Sequence, residues 1–112
     1  MDQYYRSNLE GVGDIEFQFV SPDVQANCWL FTFKTRHMRA LLDYLNDNGV
    51  QSRPFWVPMN QLEMFKNDIY VSIDNQSNQI YQTCLSIPSS AGISQAEMET
   101  VVKTIKAFYA LL

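Results

Sequence analysis

The sequence predicts an α+β fold in which helices cover one side of a small, mostly antiparallel β-sheet. Amphipathic helical patterns, short apolar runs of strand length and one alternating segment are interleaved along the chain. Because the strands are few and lie among helices, they favour a layered architecture in which one sheet face stays open for a partner. The 112 residues have the size of a single domain, residues 1–112, with a core of its own.

Composition narrows the class of protein. The chain is 46% hydrophobic and 18% charged, with a net charge of -4, which excludes the polar compositions that stay disordered. Eight scattered basic residues face twelve acidic ones, so we expect no nucleic-acid partner. The N-terminus has no basic start followed by an apolar stretch, and no run approaches the roughly 20 apolar residues that span a bilayer. We therefore expect a soluble cytoplasmic protein without a membrane partner.

The first elements are a helix and a strand. Residues 2–10 predict a short helix that ends at the two glycines of the sequence GVGD. Residues 15–20 then alternate between apolar and polar side chains, which places Ile15, Phe17 and Phe19 on one face. That period is typical of a half-buried strand.

A second strand and a helix follow. Residues 28–34, CWLFTFK, form a nearly continuous apolar run, which predicts a central strand buried on both faces. Thr35 is the predicted N-cap of the next helix, and Gly49 is its predicted stop. The apolar stripe of this helix consists of Met38, Leu41, Leu42 and Leu45.

The segment QSRPFWVPMNQLEMF, residues 51–65, is rich in aromatic side chains but has no helical or strand period. Arg53 precedes Pro54 and Val57 precedes Pro58, and each proline disfavours the helical conformation of its predecessor. We therefore predict a stiff, extended connection whose side chains project outward, followed by a turn of helix in QLEMF.

The last third predicts a weak helix over residues 74–83, a buried strand over residues 84–88 and a helix over residues 95–110. Ser94 and Glu97 form a capping box at the start of this final helix. Its apolar face consists of Met98, Val101, Val102, Ile105, Phe108 and Tyr109.

Residues for catalysis or metal binding are scarce. Cys28 and Cys84 lie in apolar runs and are predicted to be buried, reduced and inert, with a bridge across adjacent strands as the alternative. His37 is the one histidine, lies between arginines and is predicted to be a solvated helix residue. Metal-ligand spacings and phosphate-binding glycine patterns are absent from the sequence. We nominate no catalytic, metal-binding or cofactor-binding residue in this chain.

The segment RPFWVPMNQLEMF, followed by TCLSIPSSAGISQAEMETVVKTIKAFY, resembles the C-terminal end of the DegT/DnrJ/StrS family of pyridoxal-phosphate-dependent nucleotide-sugar aminotransferases. In that family an arginine, an aromatic, a proline and a polar residue precede a strand, a turn and a capped amphipathic helix. Here Arg53, Trp56, Pro58 and Asn60 stand at those places, and the resemblance extends roughly over residues 4–109. It implies the fold of the small C-terminal domain of fold-type-I pyridoxal-phosphate-dependent transferases.

The resemblance also implies that a large domain, absent here, holds the pyridoxal phosphate through a Schiff-base lysine. Such a lysine needs a sheltered amine. The lysines of this chain lie instead at a strand end, in a polar loop and on an exposed helix face: Lys34, Lys66, Lys103 and Lys106. We therefore expect no cofactor on this chain alone, and no transamination by it.

In intact enzymes of this family glutamate donates an amino group, a keto nucleotide sugar receives it, and the active sites lie in a homodimer. The resemblance implies that the small domain forms one wall of the active-site cleft and that Arg53, Trp56 and Asn60 bind substrate. Arg53 pairs either with a phosphate or carboxylate of a ligand or with an acid inside the domain. Trp56 packs on the core or the large domain in preference to the sugar. Asn60 occupies a position where many relatives carry histidine, which puts a direct sugar contact there in doubt.

An alternative function comes from a different class. The chain is then a stand-alone module that binds a small molecule or dimerises through its open sheet face. A coding sequence upstream that encodes a lysine-bearing domain decides between the two hypotheses.

Overall fold

Four α-helices and four short strands make up the structure, a computed structural model that describes residues 1–112. The helices are α1 (Asp2–Leu9), α2 (Met38–Asp47), α3 (Gln76–Thr83) and α4 (Gln95–Ala110). The strands are β1 (Glu16–Phe17), β2 (Phe31–Lys34), β3 (Arg53–Pro54) and β4 (Cys84–Ile87). Two 3-10 turns, Met59–Gln61 and Glu63–Phe65, lie between β3 and α3. The α+β class is confirmed, and the predicted elements occur in the predicted order; the sheet has in addition β3, a strand that lies within the segment predicted as an extended connection.

All strand pairs of the sheet are antiparallel, in the order β1-β2-β4-β3, so β2 and β4 are central. Phe31 lies opposite Ile87, and Phe33 lies opposite Leu85. Since side chains alternate between the two faces along a strand, these four residues share one face. All four are buried.

The core lies between that face and the helices. It is one cluster of 16 buried apolar residues, to which α1, α2 and α4 each contribute a stripe of side chains. Tyr5 of α1 is completely buried, and its hydroxyl donates to the carbonyl oxygen of Pro88 at 2.7 Å. Burial raises the pKa of Tyr5 to about 12, so the hydroxyl keeps its proton and remains a donor at neutral pH. A continuous core of this kind gives the chain the means to fold by itself.

The opposite face of the sheet is uncovered, which corrects the prediction that residues 28–34 form a strand buried on both sides. The strand begins only at Phe31, because Cys28 has a positive φ of 53° that turns the chain. Trp29 is therefore 65% exposed and lies outside the strand. We call the uncovered surface the open face; its residues are Thr32 and Lys34 of β2, Cys84 and Ser86 of β4, and Arg53 of β3.

The first strand is also shorter than predicted. Pairing with β2 extends only over Glu16 and Phe17. Phe19 was expected on the buried face, but it is 82% exposed because the chain has left the sheet before that position.

Helix α2 buries the predicted stripe of Met38, Leu41, Leu42 and Leu45, and Gly49 follows it with a φ of +77°. Thr35 is not the residue that caps this helix, because the helix begins at Met38 and His37 is its N-cap. Helix α4 agrees with the prediction in both ends and in its capping box. Ser94 Oγ accepts from the Glu97 N–H at 3.2 Å, and Glu97 Oε2 accepts from the Ser94 N–H at 2.7 Å.

Thr35, which is buried, belongs instead to a polar cluster around the half-buried Asp14. One carboxylate oxygen of Asp14 accepts from the Thr35 hydroxyl at 2.6 Å and from the Tyr109 hydroxyl at 3.0 Å. The other accepts from the Arg36 backbone N–H at 2.7 Å. Burial by itself raises the pKa of Asp14, but the bonds from Thr35, Arg36 and Tyr109 outweigh it and hold the pKa well below its usual range. The cluster joins the turn before β1, the end of β2 and the end of α4.

Gly13 lies directly against this cluster. Its φ is +55°, and a Cβ at this position would lie 2.2 Å from two ring atoms of Tyr109. Since hydrogen bonds to Asp14 and Thr35 hold the ring in place, the close approach needs a residue without a side chain.

Candidate functional site

The candidate site is the open face and the segment that leaves it after β3. Arg53 lies directly opposite Ser86, so its side chain shares the open face with Ser86 and Thr32. It is exposed and forms no ion pair with any acid of the chain. The guanidinium is therefore available to an anion from outside the chain.

The predicted extended connection is anchored at Pro58, which is buried, while the residues on either side of it point outward. Trp56 is 63% exposed, so it does not pack on the core. Its indole stacks on the ring of Phe55, with centroids 5.7 Å apart and planes at 18°. The edge of the Trp29 ring meets Trp56 at a centroid distance of 6.0 Å. These three rings, Trp29, Phe55 and Trp56, form what we call the aromatic rim.

Asn60 lies in the first 3-10 turn and is half-buried. Its side chain forms no hydrogen bond within the chain. The second 3-10 turn, Glu63–Phe65, is the short helical piece predicted in QLEMF.

A cleft of about 580 Å³ lies beside the aromatic rim. Thr32, Lys34 and Cys84 of the open face line it, together with Ile80 of α3 and the three rings of the rim. Of the three predicted substrate-binding residues, Trp56 lines this cleft, whereas Arg53 and Asn60 lie outside its lining. An adjoining hollow of about 690 Å³ continues the concave surface past Phe17, Phe19 and Val24.

Thr32 and Lys34, the polar residues that β2 contributes to the floor of the cleft, are both paired. The hydroxyls of Thr32 and Ser86 lie 2.7 Å apart, and Lys34 Nζ donates to Glu16 Oε2 at 3.1 Å. No buried side-chain nitrogen or oxygen of the chain lacks a hydrogen-bond partner. The floor is therefore close to neutral, and Arg53 is the unpaired charge beside it.

Both cysteines are free thiols and half-buried, which corrects the prediction that they are buried. Cys84 is the neighbour of the core residue Leu85 in β4, so alternation turns it to the open face. Cys28 lies in the turn before β2 and lines the same cleft.

The chain assembles no catalytic set around the cleft. His37 is half-buried, because its ring lies edge-on to Phe108 at 6.4 Å and to Tyr109 at 6.2 Å; the prediction of a solvated residue was wrong. No group of three or more potential metal ligands occurs. The four lysines are exposed, and two of them pair with acids, Lys34 with Glu16 and Lys66 with Glu63. None has the sheltered amine that a Schiff base requires.

Trp29 is the site residue that sequence reasoning missed. It was placed inside a buried strand because it stands in an apolar run. The turn at Cys28 places Trp29 outside the strand. The sequence does not indicate this turn, since neither glycine nor asparagine occupies the position with positive φ.

Comparisons with known proteins show that the fold is shared with a part of several solved aminotransferases. DesV from S. venezuelae, solved in complex with a ketimine intermediate, superposes with a TM-score of 0.85 at 18% identity, over 96% of this chain and 30% of DesV. TlmJ, an aminotransferase from Streptoalloteichus hindustanus, superposes with a TM-score of 0.85 at 16% identity, over 99% of this chain and 30% of TlmJ. CalS13, a sugar aminotransferase from Micromonospora echinospora, superposes with a TM-score of 0.82 at 18% identity, over 95% of this chain and 28% of CalS13.

The sequence model of the DegT/DnrJ/EryC1/StrS aminotransferase family matches residues 1–106, and the chain belongs to this family. No protein of curated function matches the sequence. At the identities given above, the structural likeness shows a shared fold. The chain spans about 30% of the length of the solved relatives. No helix of the structure is long and apolar enough to cross a membrane.

Proposed function

We propose that this chain is the small C-terminal domain of a pyridoxal-phosphate-dependent aminotransferase that transfers the amino group of glutamate to a keto sugar carried on a nucleotide. One observation carries the proposal: the family match covers residues 1–106, while the fold corresponds to only 30% of DesV. The remaining 70% of such an enzyme is a large domain. The complete enzyme is a cytoplasmic homodimer in this proposal, and residues 1–112 form one wall of its active-site cleft.

The residues present here do not fit pyridoxal phosphate. All four lysines are exposed, so none offers the sheltered amine that a Schiff base with the cofactor requires. When bound, the cofactor supplies the electron sink of the reaction, and the protein orients the substrate beside it. The chemistry therefore belongs to the large domain, and the contribution of this chain is substrate binding.

Arg53 is the proposed anchor for an anionic group of the substrate, either a phosphate of the nucleotide or a carboxylate of glutamate. Support comes from its exposure, the absence of an ion pair within the chain and its fixed place opposite Ser86. A planar guanidinium binds either group through two parallel hydrogen bonds. Trp56 and Asn60 are the proposed neighbours of the sugar, with an exposed ring that covers an apolar face and an unpaired amide that offers a polar contact.

A steady-state assay of the complete enzyme with glutamate and a keto nucleotide sugar tests this role. We expect Arg53→Ala to raise the KM of one of the two substrates by roughly 10-fold or more, in line with the loss of a charged hydrogen bond worth about 1.5–3 kcal/mol. Arg53→Lys keeps the charge but loses the fork, and is expected to recover only part of the affinity. Arg39→Ala, an exposed arginine on α2, is the matched control and should leave both KM values unchanged.

A coding sequence without any lysine-bearing domain beside these residues contradicts the proposed function. In that case the alternative, a stand-alone binding or dimerising module, gains support from tight binding of a metabolite in the cleft or from a compact dimer at micromolar concentration.

A further inference from the structure

We propose that the large domain of the aminotransferase docks on the aromatic rim and on the part of the open face that β2 and β4 form, with Arg53 of β3 left outside the contact. This inference rests on the proposed function and deepens it, because it assigns a position on this chain to that partner. It separates the residues that are buried against the large domain from Arg53 and Asn60, which stay free for the substrate. In this proposal Trp56 lies at the boundary between the two, with one edge against the large domain and the remaining ring surface toward the sugar.

The first support is the exposed aromatic area. Trp29 and Trp56 are each almost two-thirds exposed, although they contact one another and Phe55. The three rings thus form a contiguous, exposed apolar surface, and surfaces of this kind commonly mark an interaction site. The adjoining hollow adds Phe19 and Val24, both exposed, on the same side.

The second support is the pairing of the polar groups in the floor. The Thr32 and Ser86 hydroxyls satisfy one another, and Lys34 is paired with Glu16. Burial of a polar group costs least when its hydrogen bonds or its ion pair are kept. Another protein surface can therefore cover these four side chains without leaving a hydroxyl or a charge among them unpaired.

The third support concerns the occupant. Helices α1, α2 and α4 already cover one face of the sheet, so the open face is the sheet surface that remains. Solved relatives are more than three times as long as the part that this chain matches, so a large domain of the same enzyme is the partner that the comparisons supply. A second copy of this chain fits less well. An interface around a two-fold axis must be self-complementary, and two concave surfaces facing one another leave a void.

The two native cysteines report whether the surface is covered, because both line the cleft. We would measure by mass spectrometry the rate at which a maleimide labels each thiol, in the purified 112-residue chain and in a native extract that contains the protein as the cell makes it. The proposal expects Cys84 and Cys28 to react at least ten times more slowly in the extract. A Lys103→Cys variant, with the new thiol on the exposed side of α4, should react equally in both.

Equal labelling of Cys84 in both samples overturns the proposal. So does protection that develops in the purified chain as its concentration rises, because a second copy then covers the surface. Protection in the extract that disappears on dialysis of small molecules also overturns it, since a ligand then fills the cleft.

A variant at the rim gives a second readout. Trp29→Ala should leave the melting temperature of the 112-residue chain unchanged, because the ring is exposed there, and should lower that of the complete enzyme. A melting temperature that is unchanged in both contradicts docking at the rim. Transamination by the complete enzyme is measured separately. If the complete enzyme is active but both thiols react freely, only the docking proposal is contradicted. If the thiols are protected but the enzyme shows no transamination, only the proposed reaction is contradicted.

Discussion

At the scale of single residues, Gly13 is the glycine at which the fold leaves least room for a side chain. Its φ of +55° lies in the left-handed region, and the Tyr109 ring fills the space where a Cβ would be. We expect Gly13→Ala to lower the free energy of unfolding by about 3 kcal/mol, from the left-handed conformation of a residue with a Cβ, 1–2 kcal/mol, together with overpacking. Denaturant unfolding followed by circular dichroism measures the change.

Gly11→Ala is the matched control. Gly11 also has a positive φ, +75°, but nothing lies within 4 Å of the added Cβ. The control should therefore lose only the conformational part, about 1–2 kcal/mol. Equal losses in the two variants would show that Tyr109 moves aside and that the contact with Gly13 has no energetic weight.

At the scale of elements, Asp14 joins three pieces of structure that are distant in sequence. Its pKa is lowered in the folded state, so its stabilising contribution is fully present above the unfolded pKa of about 3.9 and disappears as the pH falls through the folded value. Asp14→Asn should cost about 1–3 kcal/mol at pH 7, because an amide NH2 then faces the Arg36 backbone N–H or the two hydroxyls. The difference between variant and wild type should shrink below about pH 4.

Urea unfolding at a series of pH values from 7 to 3 checks this prediction. Glu16→Gln is the control, because Glu16 belongs to an exposed ion pair with Lys34 and should change stability by less than about 1 kcal/mol. If Asp14→Asn loses stability toward acid with the same slope as the wild type, Asp14 does not contribute the expected pH dependence.

The elements that the sequence predicts well are those whose apolar residues face their own core. The stripe of α2 and the capping box of α4 specify those helices locally, and both appear as predicted. The errors fall on residues 15–20 and 28–34. Their aromatic side chains match a buried strand by composition, but Phe19 and Trp29 are exposed in the chain alone. A hydrophobic pattern does not distinguish a residue that packs in the core of its own domain from one that the domain leaves exposed.

The candidate site was likewise predictable only in the features that depend on local sequence. The extended course of residues 53–58 could be derived from Pro54 and Pro58, because proline restricts the residue before it. The direction of Arg53 could not, since it depends on the register with Ser86 across the sheet. Trp29 was missed because its contact with Trp56 joins segments that are 27 positions apart in the sequence.

At the scale of the whole molecule, the chain should be stable but catalytically incomplete. We expect that pyridoxal phosphate and borohydride give only sparse labelling spread over the exposed lysines of the 112-residue chain, because no sheltered amine is present. The complete enzyme, as control, should form one reduced adduct on a lysine of its large domain. Mass spectrometry of peptides distinguishes the patterns. A single stoichiometric adduct within residues 1–112 contradicts this expectation.

The edge strands of the sheet bear on what happens when the chain is made without a partner. Both β1 and β3 are two residues long, and β3 consists of a cationic arginine and a proline that has no N–H to donate. Short edges with charge and proline resist the addition of further strands. Fibril formation by the addition of strands to the sheet edges is therefore disfavoured. The exposed aromatic rings still favour weak self-association, so we expect chains without a partner to form aggregates that dissociate on dilution.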